Sequence, residues 1–316
     1  MPSYLSPTSI KLFMESPDAF YARYMTKTKS FREPQTKPMS IGSAFDAYAK
    51  SELYQTLFGK RDPRFEFQTL FEAQVEEHNR DWAEINGFSA FKQYKDSGAY
   101  ADLLLALQAA SSEPRFEIDV QGKITDLDVG IEGVPMLGKP DVYFVSKDGH
   151  SVILDWKVNG WCGKSATSPK PGYYACREAG KTVSRHKNCV PKYHKGWWIN
   201  AAHPLEIVDK DWAVQLAIYS WLCGEPIGSD FIVGIDQLAC SPNGDFPRVR
   251  VAEHRCLISR DFQIMIARIA HDIWSRVESD HFFKELPKEE SDLKCKLLED
   301  MASVSHDPEF REMMNG

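Results

Sequence analysis

Residues 136–157, MLGKPDVYFVSKDGHSVILDWK, decide how this chain folds and what chemistry it can carry. Two runs rich in β-branched and aromatic residues, Met136 to Val145 and Ser151 to Lys157, flank the polar link Ser146-Lys147-Asp148-Gly149-His150, which is the pattern of a β-hairpin. Alternate residues of a strand share a face, so Ile153, Asp155 and Lys157 point one way while Val152, Leu154 and Trp156 point the other. Asp141 interrupts the apolar run of the partner strand, and Pro140 before it lacks an N–H, which suits a bend or a break in the ladder. Two carboxylates and an amine are thereby expected to converge. Such an oxygen-rich set suits Mg²⁺ or Mn²⁺, and a neighbouring lysine can orient a nucleophile or stabilise a phosphodiester transition state. Taken alone, an Asp-x-Lys triplet is also what a surface ion pair on an edge strand looks like.

Further motifs stand in a fixed order around this hairpin. Leu5-Ser6-Pro7-Thr8-Ser9 opens an amphipathic stretch to Tyr24, Gly42-Ser43-Ala44-Phe45-Asp46 follows, and Glu117 lies in the strand-like run Arg115 to Val120. After the hairpin comes Gln215-Leu216-Ala217-Ile218-Tyr219, whose Gln and Tyr, four apart, share one helical face beside apolar Val214, Ile218 and Trp221.

In these motifs the chain resembles the PD-(D/E)xK nuclease superfamily and, within it, the RecB-like branch that includes phage exonucleases and the nucleases of CRISPR adaptation. The resemblance implies an α/β fold, a central mixed β-sheet flanked by helices with a helical N-terminal region. It also implies Mg²⁺ or Mn²⁺ on Asp141, Asp155, Glu117 and Asp46, and catalytic roles for Asp141, Asp155, Lys157, Gln215 and Tyr219. Relatives carry His where Asp46 stands, and a carboxylate there is a harder ligand, better suited to Mg²⁺. Some relatives hold an iron–sulfur cluster through one Cys near the first helices and three near the C-terminus. Here Ser16-Pro17 occupies the first position and Cys295 is the only Cys after Cys256, so no iron–sulfur cluster is expected.

Between Lys164 and Lys195 eight Lys and Arg residues accompany one acid, Glu178, with Tyr173, Tyr174 and Tyr193 interleaved and Trp197-Trp198 following. Cations that track a phosphate backbone, mixed with rings on which bases stack, make this block the expected DNA surface: Lys164, Lys181, Arg185, Lys187, Lys192 and Lys195, overhanging the site. A charge run of this kind also occurs as a plain solvated loop. The same block holds Cys176, His186, Cys189 and His194, two Cys and two His that could bind Zn²⁺, although their spacing is not a standard finger and unligated thiols are the simpler reading.

The 316 residues are 43% hydrophobic, enough to bury a large core. We expect one nuclease domain over 1–284, with a helical part over 1–112, a catalytic sheet over 115–157, a basic insert over 158–200 and a helix-strand-helix completion over 210–284. The charged residues 285–316 read as a peripheral tail. No leader and no apolar run of about 18 residues is evident, which points to a cytoplasmic protein without a membrane partner. Seven Cys at irregular positions fit a reducing compartment. The formal charge of −7 does not argue against nucleic acid, because acidic metal ligands contribute to the sum.

The expected function is therefore a metal-dependent deoxyribonuclease, of exonuclease type, acting on DNA ends in phage-type recombination, repair or degradation. A recombination or replication protein is a natural partner. The competing readings are a nuclease-like DNA-binding module without catalysis and, less well matched, a sequence-specific restriction endonuclease. Polarity, strand preference and oligomeric state are not legible.

Overall fold

The computed structural model describes residues 2–26, 34–59, 62–117, 119–159, 168–241 and 247–279. Lys164, Cys162 and the tail 285–316 lie outside them.

Six helices come first: α1 Pro7–Glu15, α2 Pro17–Tyr24, α3 Lys37–Phe58, α4 Phe67–Gln74, α5 Arg80–Asp96 and α6 Ala99–Gln108. Both Ser-Pro dipeptides start helices. Ser6 and Ser16 cap the first free amides, with Pro7 and Pro17 at the first helical position, where a missing N–H costs nothing. At α1 the cap is reciprocal, the Ser6 hydroxyl accepting from Ser9 N and the Ser9 hydroxyl from Ser6 N.

Five strands follow: β1 Arg115–Phe116, β2 Val120–Asp126, β3 Ile131–Gly138, β4 Val142–Val145 and β5 Ser151–Asn159. Next come β6 Ala175–Arg177, β7 Pro191–His194, β8 Trp197–Asn200, α7 Leu205–Val208, α8 Lys210–Leu222, β9 Ile232–Ser241, β10 Arg248–Cys256 and α9 Arg260–Ser279. The central sheet is six-stranded and mixed, in the order β1-β4-β5-β9-β10-β6. Only the β5–β9 pair is parallel, and the rest are antiparallel.

The β4–β5 hairpin has the expected form, Val142 opposite Leu154 and Val145 opposite Ser151. The run from Met136 to Val145, however, is not one strand. It divides at Lys139-Pro140-Asp141, and β3 pairs with β2 in a separate two-stranded sheet. Pro140 cannot donate to a ladder, and the chain changes sheets there.

The sheet buries both faces, as the alternation in β5 requires. Ile153 joins a core with Val233 and Ile235, closed by Ala213, Leu216 and Ala217 of α8 and Ile266, Ala270 and Ile273 of α9. Val152, Leu154 and Trp156 face the other way, into a core with Phe45 of α3, Phe91 and Tyr94 of α5 and Leu103 of α6. Helix α8 is buried almost all round, from Trp212 to Trp221, because β2, β3, the sheet, α1 and α9 enclose it. Among the described residues no helix is long and apolar enough to cross a membrane.

Candidate active site

Asp141 is the first residue past the end of the β4 ladder. There the next donor of β5, the Trp156 amide, finds no strand carbonyl and donates instead to Asp141 Oδ2 at 3.0 Å. The Asp141 carbonyl in turn accepts from the Glu117 amide at 3.1 Å. Glu117 has φ of +49°, a left-handed conformation that a non-glycine residue holds at a cost, and this bond pins it. Strand and turn thus bring Asp141 and Asp155 to one edge of a cavity of about 300 Å³ also lined by Asp46, Lys157 and Gln215, with Glu117 just behind the lining residues Lys139 and Gln74.

Gln215 organises the α8 side. Its Oε1 accepts from Lys157 Nζ at 2.9 Å, while its Nε2 donates to Tyr219 Oη at 2.9 Å and, more weakly, to Asp155 Oδ2 at 3.4 Å. Lys157 is also ion-paired to Asp155, so the Asp-x-Lys alternation and the Gln-x-x-x-Tyr helix meet in one network. The close seating of α8 depends on Gly138, where a Cβ would come within 2.6 Å of the Tyr219 ring and 2.9 Å of Leu222.

The α3 side holds residues that sequence reasoning missed. Lys50, one helical turn after Asp46 and only 2% exposed, has its ammonium 2.7 Å from Asp46 Oδ2, 3.0 Å from Asp141 Oδ1 and 3.8 Å from Glu117 Oε1. Lys139 pairs with Glu117 from the solvent side at 2.8 Å, and Gln74 Nε2 donates to the same carboxylate at 3.4 Å. The spacing of Asp46 and Lys50, four apart, was the one available signal.

Four carboxylates in one buried place cannot all keep ordinary acidities. Burial, and then the charge of Asp141, pushes Asp155 up to about 8. Burial opposes ionisation of Asp141 too, but Lys50, the hydrogen bond from Asp155, Lys157 and the Trp156 amide outweigh it and hold Asp141 at about 2. Asp46 rises to about 6, mainly through burial and against the pull of Lys50. Lys50 and Lys157 are both raised, the surrounding carboxylates outweighing burial, so both stay charged. Burial and the field of Asp155 put the Tyr219 phenol at about 12, a neutral donor.

Asp141 and Asp155, two adjacent carboxylates lining one cavity, the second raised by burial and by the charge of the first, are the oxygen donors that a hard divalent cation takes. Among the described residues no three His, Cys, Asp or Glu side chains form a ready-made cage, because two ammonium groups stand between the acids.

A family profile, described as PD-(D/E)XK nuclease superfamily, matches residues 4–169, more than half of the chain, including Asp46, Glu117, Asp141, Asp155 and Lys157. The chain belongs to the PD-(D/E)XK nuclease superfamily. The Asp-x-Lys of this superfamily member lies on β5, and its Pro-Asp stands just before β4, the strand paired with β5, rather than on it. Among curated proteins none matches it. Among solved structures it is similar to the crystal structure of SSO0001, at 14% identity over 88% of this chain and 97% of that one, with a TM-score of 0.27, too low to carry an argument.

The basic insert of this superfamily member departs from expectation in two ways. It does not simply overhang the site. Its start does lie near it, the Lys170 amide donating to Gln237, which stands beside Lys157 in the β5–β9 register. Its β7–β8 hairpin instead lies at the other end of β5, with Trp197 against Phe144 and Gly196 beside Asp148. Much of its charge is also engaged: Lys181 pairs with Glu178, Arg185 stacks on Tyr174 and donates to its hydroxyl, and Lys195 reaches the Asp230 carbonyl. Lys187 and Lys192 are exposed, as is the cross-strand pair Tyr193 and Trp198. Nor do Cys176, His186, Cys189 and His194 converge on a metal position. His186 packs edge-on against Tyr173 and His203, and the Cys189 thiol turns to the Tyr174 carbonyl.

Proposed function

We propose that this chain is a divalent-metal-dependent deoxyribonuclease of the RecB-like branch, acting on DNA ends as phage-type exonucleases do in recombination, repair or degradation. One observation carries the reading: Asp141, Asp155 and Lys157 line a single cavity with Gln215, and a charged lysine is held at its metal-binding edge. Mg²⁺ or Mn²⁺, held by Asp141 and Asp155 with Glu117 and Asp46 close by, would supply a nucleophile at neutral pH and offset charge on the scissile phosphate.

The chain's own residues supply the rest. Lys157 keeps its proton and presents an ammonium beside the carboxylates, where it orients the attacking water or steadies the developing phosphorane charge. Gln215 fixes that ammonium through its Oε1, and its Nε2 is occupied by Tyr219 and Asp155, so the amide cannot flip without losing bonds. Tyr219 remains a neutral phenol able to donate to a phosphate oxygen. A second cavity, of about 470 Å³, shares Lys139 and Gln215 with the first and continues past Tyr219 to Ser6, Thr8 and Lys11, a path for the strand that is cut. The exposed Tyr193 and Trp198 rings, with Lys187 and Lys192, form an outlying contact for the rest of the nucleic acid.

Incubation with linear and circular DNA, with Mg²⁺, Mn²⁺ or EDTA, tests the reading. Metal-dependent loss of linear DNA is expected, abolished in Asp155→Ala and Lys157→Ala with unchanged circular dichroism. Full activity of both variants would sink it. Cleavage of circular DNA at a defined site would favour the restriction-type alternative, and DNA binding without hydrolysis the binding module.

A further inference from the structure

Lys50 has no counterpart in the motifs that mark this site, yet it is the most deeply buried cation among the described site residues. Its ammonium rests against Asp46 and Asp141 with Glu117 just beyond, a position bounded by three carboxylates from α3, the β1 end and the β4 end. A second divalent ion on this side of the site would have to draw on the same three carboxylates, displacing the ammonium. The residues flanking it on α3, Ala47, Ala49, Ser51 and Leu53, are all buried, so the helix holding the lysine is fixed against the sheet and against α4 and α5. With 2% of the side chain exposed, the ammonium has no solvent position to withdraw to.

We propose that Lys50 is a resident cation of the site: it occupies the Asp46 side in place of a second divalent ion, so the protein takes one divalent cation, at Asp141 and Asp155, instead of two. The proposal rests on the nuclease reading above. Charge supports it. The carboxylates Asp46, Glu117, Asp141 and Asp155 face the two buried ammonium groups of Lys50 and Lys157, which leaves two formal negative charges for one divalent ion to match. Lys139, half exposed at the Glu117 edge, acts through solvent and adds little. A second divalent ion would have to lie in contact with the Lys50 ammonium. In this arrangement the Asp141 carboxylate is shared, one oxygen on Lys50 and the other on the Trp156 amide, so Lys50 also fixes the rotamer in which Asp141 meets Asp155.

Counting bound Mn²⁺, by electron paramagnetic resonance of the free ion and by calorimetry, reads the proposal without reference to turnover. The full chain should bind one Mn²⁺, as should Lys50→Arg, which keeps the charge. Lys50→Met should bind two, and Lys50→Met with Asp46→Asn should return to one. Two ions on the unmodified chain, or one on Lys50→Met, would overturn the idea. Should Lys50→Met be unfolded in EDTA, because its carboxylates are left uncompensated, Mn²⁺ should restore its near-ultraviolet circular dichroism with two ions bound, and failure to restore it counts against the proposal. The two readings fail differently. An unmodified chain that takes up no Mn²⁺ and hydrolyses no DNA ends the nuclease reading and this inference with it. An unmodified chain that hydrolyses DNA and binds two ions ends this inference alone.

Discussion

Binding of a divalent ion at neutral pH should expel a proton from Asp155. Burial and the neighbouring Asp141 hold the Asp155 carboxyl at about 8, so at about pH 7 roughly nine molecules in ten carry a proton there. A metal needs the carboxylate, and uptake of one ion must therefore release about 0.9 proton at about pH 7 and only about 0.1 at about pH 9. Below about 8 the apparent affinity should fall about tenfold per pH unit, a cost of about 1.4 kcal/mol each. Mn²⁺ calorimetry in buffers of different ionisation enthalpy measures this directly, since the observed heat varies with the buffer in proportion to protons released. Lys157 draws the Asp155 carboxyl towards its ionised form, so Lys157→Met should move the whole window to higher pH. A heat at about pH 7 that does not depend on the buffer, or one affinity from about pH 6 to about pH 9, would refute the reasoning.

The same groups set how the metal-free protein responds to pH. Asp46 and Asp155 have raised values, so the stability their bound protons contribute is fully present below the ordinary carboxylate range. It is lost as pH rises through about 6 for the first and about 8 for the second. Asp141 runs the other way, its contribution present above the ordinary range and lost as pH falls through about 2. The melting temperature in EDTA should therefore decline between about pH 5 and about pH 9, and saturating Mn²⁺ should flatten that decline. Behind the catalytic strand, Tyr94 donates to Asp236 at 2.7 Å and accepts from the Trp156 indole at 3.4 Å, and Arg255 holds the other Asp236 oxygen at 2.6 Å. Tyr94→Phe should cost about 1–3 kcal/mol in urea denaturation by stripping a donor from a buried carboxylate, and a neutral result would show that the network does not support β5. Replacing Lys187 and Lys192 by Gln should weaken DNA binding and reduce the slope of log K against log salt by roughly 0.7–0.9 for each phosphate no longer neutralised, with turnover at saturation preserved. An unchanged slope would exclude the insert as a DNA-binding surface.

What could be read in the sequence divides along a physical line. The alternation in Ser151–Lys157 placed Ile153 with Asp155 and Lys157, and Val152, Leu154 and Trp156 opposite. The two cores separate these residues in the same way, because a strand's period of two is local and admits no other solution once both faces are buried. The Ser6-Pro7 helix start was legible for the same reason, since a cap and its helix lie within four residues, whereas the single amphipathic stretch expected to Tyr24 divides into α1 and α2 at Ser16-Pro17. The division at Pro140 was half legible: proline announces a ladder break, but only the distant β2 decides that Met136 leaves for another sheet. Lys50 was not legible as a site residue, because its four-residue spacing from Asp46 is also that of an ordinary surface pair on a helix. The lysine that neutralises Asp141 lies 91 residues away, on a helix whose sequence gives no reason to bury an ammonium until the carboxylates it faces are in place. Asp141 and Asp155 can be recognised from their own strands, because a carboxylate in an apolar run is anomalous where it stands. Their electrostatic balance cannot, because the compensating charge is chosen by tertiary packing, and it is that balance which decides how many cations the site can hold.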